Sequence, residues 1–165
     1  MSPVRRLAAV AAAVAARRAL LLLALPALAA CRVNVTRRPA AVEPVFVQPD
    51  GPPRNPFSPA VRVGSLIYLA GTLGTRPEGG LVPGGIQGET RQAMENMRRT
   101  LGAMGLGLDR LVKCTVFLAD LAEWPAMNEV YRSYFPDQKY PARAAVQATL
   151  LNGARVELDC VAAAK

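Results

Sequence analysis

The sequence predicts an α+β fold, one sheet whose helices pack on a single face. Three observations predict it. Short β-branched runs sit at both ends of the folded region. One long segment between them has helical apolar spacing, and a shorter helical segment precedes the last two runs.

In chain order, Val42–Gln48 is a first strand followed by a turn rich in Pro and Gly. Val61–Val63 and Leu66–Ala70 are two strands joined across Gly64-Ser65. A loop rich in Gly and Pro runs from Gly74 to Gly85, without the glycine spacing of a phosphate-binding fingerprint. Ile86, Ala93, Met97, Leu101 and Met104 then recur at helical intervals, so a helix spans Ile86–Met104 and ends at Gly105 and Gly107. Val112–Leu118 is β-branched and extended. A second helix covers Trp124–Phe135, because Pro125 fits only near a helix start. Trp124, Tyr131, Tyr134 and Phe135 read as a packing stripe on it. Asp109 and Asp120 read as turn and cap residues. Ala142–Thr149 and Ala154–Val161 are the last strands, with Leu150–Gly153 between them. Cys114 and Cys160 fall on apolar strand positions and read as buried free thiols, with a disulfide between them as the alternative that export would permit.

The chain has 165 residues, no histidine and a net charge of +8. Without histidine there is no Ser-His-Asp or Cys-His pair, no His-ligated zinc and no imidazole base. No metal site is expected. Four basic residues, Arg5, Arg6, Arg17 and Arg18, lie in residues 1–30, which hold no acid. The uncharged run Ala19–Ala30 is too short for a bilayer, which takes ~20 residues. It closes on Leu28-Ala29-Ala30-Cys31, which resembles a bacterial lipoprotein signal cleaved before Cys31, with lipid on that thiol. The expected organisation is therefore a signal peptide at 1–30, a tether at 31–41 and a folded domain at 42–165. The expected location is the periplasmic or cell-surface side, anchored to a membrane by lipid. Without the signal the charge falls to +4 and no dense basic block remains, so nucleic acid is not an expected partner.

The last two strands hold the most informative pattern. Val156, Leu158 and Cys160 face the core, while Arg155, Glu157 and Asp159 face away. A hairpin centred near Leu151 sets Arg143 opposite Asp159 and Ala145 opposite Glu157. Glu157 is then a diagonal neighbour of Arg143, ~7–8 Å away. In that register one guanidinium and two carboxylates share a face of the sheet.

These residues, taken with several other segments, resemble the RidA (YjgF-type) family of reactive intermediate deaminases. The matching segments begin with Asn55–Val61, Ile67–Gly71, Thr90–Asn96 and Val112–Asp120. They continue with Met127–Tyr131, Pro141-Ala142-Arg143 and Val156–Asp159. The resemblance implies a chorismate-mutase-like mixed sheet with two helices on one face, assembled as a homotrimer with clefts between subunits. It implies hydrolysis of enamines and 2-imino acids to 2-oxo acids and ammonia, without metal or organic cofactor. Arg143 matches the arginine that binds the substrate carboxylate, and Glu157 the acid that positions or activates water. Asn128 and Tyr131 match a pair on the second helix near the site. Phe57 stands where many members have tyrosine, Ala70 where they have serine, Thr72 for glutamine and Ala145 for a frequent cysteine.

The chemistry agrees with the residue types. Arginine offers a planar two-toothed fork to a carboxylate, and a carboxylate can relay protons for imine hydrolysis without histidine. The expected function is an exported, lipid-anchored imine hydrolase. The alternative is a trimer whose clefts bind small carboxylic acids without turnover, which the lost polar groups at Phe57, Ala70 and Ala145 would favour. Ribonuclease activity fits least, given no histidine and no basic stripe.

Overall fold

A computed structural model describes residues 41–52 and 55–164. The signal at 1–30, most of the tether and the lipidation candidate Cys31 lie outside the described residues. Nine elements follow in order: β1 (Val45–Val47), β2 (Ala60–Val63), β3 (Leu66–Leu69), β4 (Thr72–Leu73), α1 (Gly85–Gly102), β5 (Leu111–Leu118), α2 (Trp124–Ser133), β6 (Ala142–Gln147) and β7 (Val156–Ala163). Short 3-10 turns precede β5, α2 and β7. The mixed α+β architecture and both helices are as the sequence pattern predicts.

The strands form one sheet in the order β1-β2-β3-β7-β5-β6, with β4 also paired to β7. Every pairing is antiparallel except β5 with β6, which is parallel. A parallel pair needs a crossover, and α2 supplies it.

The expected hairpin between the last two strands does not form. β5 lies between β6 and β7, and Arg143 pairs with Cys114 while Asp159 pairs with Thr115. Residues 148–155 pass around the end of β5. Ala148 N–H donates to the Leu118 carbonyl at 2.9 Å, and Ala119 N–H to the Arg155 carbonyl at 3.0 Å. The eight-residue link is long enough to step over one strand, so adjacency in sequence did not become adjacency in the sheet.

Both helices cover one face. Ile67, Val116, Leu118, Val156 and Leu158 from the sheet meet Met94, Met97, Leu101 and Met127 from the helices, all fully buried. Helix α1 ends at Gly102, two residues before Met104. Gly105 turns left-handed at φ 69°, and Leu106 N–H reaches back to the Leu101 carbonyl at 3.1 Å. Asp120 accepts from Ala122 N–H at 2.8 Å, in its expected cap role.

Cys114 and Cys160 are not free thiols. They sit directly opposite each other on β5 and β7, with Cα atoms 4.1 Å apart, and form a disulfide. Both are buried on the helix-covered face. Only the register brings them together, and local sequence does not contain it.

Candidate active site

Arg143 belongs to β6, in a row with Cys114 and Cys160, so its side chain shares the helix-covered face. There it meets α2. Its guanidinium carbon lies 4.5 Å from the centroid of the Trp124 ring and 4.6 Å from that of Tyr131. Nη1 is buried without a hydrogen-bond partner, as is the Tyr131 hydroxyl. Burial pulls the guanidinium below its ordinary pKa; Tyr131 opposes this, and the like charge of Arg132 adds to it. Burial also pushes the Tyr131 phenol up to about 12, against the pull of Arg143, so it is a neutral donor.

Asn128, Tyr131, Arg132, Tyr140, Pro141 and Arg143 line a cavity of about 270 Å³. Two of them are cations and none is an acid. Among the described residues no carboxylate pairs with Arg143. The bridge to Asp159 that a hairpin allowed is excluded, because Asp159 lies on the other face.

Glu157 pairs with Phe117 on β5 and with Leu73 on β4, on the face without helices. It is three residues along β7 from the row of Arg143 and two strands away, so the Cα atoms are ~14 Å apart by strand spacing and rise. The side chains point to opposite faces. The single face shared by one arginine and two acids, expected from the hairpin, does not exist in one chain.

Glu157 has its own surroundings. From Tyr68↔Val161 to Thr72↔Leu158, three residues of one strand oppose two of the other, a bulge that ends at Gly71. The Glu157 carboxylate lies on Gly71 so closely that a Cβ there would overlap it. Ala70, just before, donates its N–H to the Pro59 carbonyl at 3.0 Å, which ties down the loop that carries exposed Phe57. Thus the structure groups Arg143, Asn128 and Tyr131 in one place, and Glu157 and Ala70 in another.

Trp124 packs against the core as its helical spacing predicts, and its ring also lies against the guanidinium. One further residue lies outside the expected site. Glu89 is a carboxylate only 4% exposed; it accepts the Arg155 N–H at 2.7 Å and so fixes the start of β7, two residues before Glu157. Its signal was available, since Glu89 falls on the same helical stripe as Ala93 and Met97. Tyr134 packs between the helices, donating to Glu95 at 2.8 Å. Among the described residues, no three His, Cys, Asp or Glu side chains are placed to hold a metal ion.

Comparison with known proteins adds an independent line. The family model described as endoribonuclease L-PSP matches residues 49–164. A Mus musculus protein named 2-iminobutanoate/2-iminopropanoate deaminase is 39% identical over 132 residues, 79% of this chain and 88% of that protein. A Capra hircus protein of the same name is 46% identical over 110 residues, 66% of this chain and 80% of its own. Among solved structures, E. coli TdcF with bound serine superposes with a TM-score of 0.65 at 28% identity, covering 73% of this chain and 98% of that one.

Proposed function

From a chain that belongs to the endoribonuclease L-PSP family, also called RidA or YjgF, we propose hydrolysis of 2-imino acids to 2-oxo acids and ammonia. The observation that carries the reading is Arg143, a half-buried cation with no acid partner and a buried N–H unused. A substrate carboxylate supplies the missing acceptor. The relatives named as deaminases support the reaction class. TdcF, solved with an α-amino carboxylic acid, supports the ligand class.

In the reaction, Arg143 holds the carboxylate edge-on. A water held by the Glu157 carboxylate attacks the imine carbon. Glu157 takes a proton from that water and returns it to the nitrogen, which leaves a carbinolamine. It then takes the hydroxyl proton and delivers it to the same nitrogen as the C–N bond breaks, the carbonyl forms and ammonia leaves, so one water is consumed for each ammonia released.

This chemistry needs Arg143 and Glu157 on one substrate, and one chain presents them on opposite faces. The proposal therefore includes a homotrimer in which Arg143, Asn128 and Tyr131 of one subunit face Glu157, Gly71, Ala70 and Phe57 of the next. The open sheet face supports self-association, since it exposes Val63, Leu66, Tyr68 and Val146. Export with a lipid on Cys31 is also proposed. The disulfide supports it, because such bonds persist outside the reducing cytosol.

A second reading, binding without turnover, is favoured by Phe57 and Ala70, which bring no hydroxyl to Glu157. One assay separates the two. 2-Imino acids are generated in situ by an amino-acid oxidase, and full-length wild type is compared with Arg143→Ala. Accelerated ammonia release that falls about 100-fold or more in the variant supports the enzyme. Binding of 2-oxo acids without acceleration supports the binding module.

A further inference from the structure

The two rings beside Arg143 have a geometry that packing alone does not require. Trp124 and Tyr131 are seven residues apart on α2, two turns, or ~10.5 Å along the axis. The guanidinium carbon lies over both rings, 4.5 and 4.6 Å from their centroids, so two aromatic faces share one cation. Its Nη1 is buried and has no hydrogen-bond partner.

We propose that Trp124 is a positioning residue for this site. With Tyr131 it holds the guanidinium over two aromatic rings, with Nη1 left for the ligand. This rests on the carboxylate-binding reading of Arg143 and deepens it. An arginine on an edge strand with no acid to hold it would otherwise sample many rotamers, and ordering it costs entropy at binding. A guanidinium held over two π faces has met that cost beforehand.

Trp124 is the single tryptophan of the chain, so its emission reports directly on the clamp. The experiment titrates full-length protein with 2-oxobutanoate and follows that emission. It repeats the titration calorimetrically for Trp124→Phe and Trp124→Leu, and measures imine turnover for all three. Phenylalanine keeps a π face, while leucine keeps apolar bulk alone. The expected result is a saturable emission change in wild type, near-wild-type affinity for Trp124→Phe, and about fivefold weaker binding for Trp124→Leu. The same loss should appear in KM with kcat little changed, because the clamp acts on capture and not on the water. Thermal melting shows whether each variant is folded. If Trp124→Leu binds as wild type does, or if Trp124→Phe loses as much as leucine, the clamp is overturned. Should wild type bind 2-oxobutanoate but turn over no imine, the deaminase reading fails alone, and the affinities still decide the clamp. Should wild type not bind at all, both fall.

Discussion

The two faces of the sheet are built differently, and the candidate site is divided between them. The covered face is closed by two helices, braced by the Cys114–Cys160 disulfide, and presents Arg143 over two aromatic rings. The other face has no helix; it carries Glu157 against a glycine bulge and leaves several apolar side chains exposed. One half is a preformed cation in a cavity of about 270 Å³, and the other is an acid on an open surface. The difference follows from strand parity. Arg143 and Glu157 lie an odd number of residues apart once both are referred to β5, and odd separations reverse faces. Within one chain the fold therefore keeps the guanidinium and the carboxylate apart.

Complementation gives the largest expected effect. For the proposed trimer, the Arg143→Ala and Glu157→Gln proteins are each expected to be inactive. Unfolded together in equal amounts and reassembled, they should recover about a quarter of wild-type activity, the fraction of interfaces at which both residues are intact. No recovery, with mixed trimers verified by mass spectrometry, would mean that the two residues do not meet across an interface.

On the covered face the expected effect is smaller. The disulfide closes a span of 46 residues, for which chain entropy predicts about 4 kcal/mol and typical bridges give about 2–4. Urea unfolding of the oxidised protein should show that margin over the Cys114→Ala/Cys160→Ala double variant. Equal midpoints would show that the brace contributes nothing.

The smallest effect is alkaline. Tyr131 and Tyr134 are both raised from 10.0 to about 12, each chiefly by burial, with the Glu95 hydrogen bond adding at Tyr134. Their neutral phenols contribute stability in full below pH 10, and it is lost as pH rises through 12. Melting temperature should fall across that window, and Tyr131→Phe should flatten part of the fall. An unchanged slope in that variant would place the effect elsewhere.

Local chemistry made most elements legible. The apolar spacing from Ile86 to Leu101 marked α1 because a helix must bury one stripe, and Pro125 marked the start of α2 because proline is tolerated there. The alternation of Val156, Leu158 and Cys160 correctly separated the buried side of β7 from the side of Glu157. What stayed hidden was partnership between distant segments. Nothing near Arg143 says that its strand pairs in parallel with β5 and not with the strand that follows, and two errors descend from that one choice: Arg143 opposite Asp159, and the shared face. Trp124 packs against the core as its spacing predicts, but an aromatic at helical spacing looks the same whether or not an arginine also lies over its ring.

The disulfide has a consequence of another kind. It encloses residues 115–159 in a covalent ring, and Trp124, Asn128, Tyr131, Arg143 and Glu157 all lie within it. The exposed stretch Pro136–Tyr140 between α2 and β6 is the sort of segment that proteases cut. A cut there releases no fragment: the ring opens into two arms still joined at Cys114 and Cys160, and α2 stays attached to the strand that bears its arginine. Loss of the half-site then requires a second event, reduction of the bond, so in a protease-rich and oxidising setting the pocket outlasts the integrity of its own backbone.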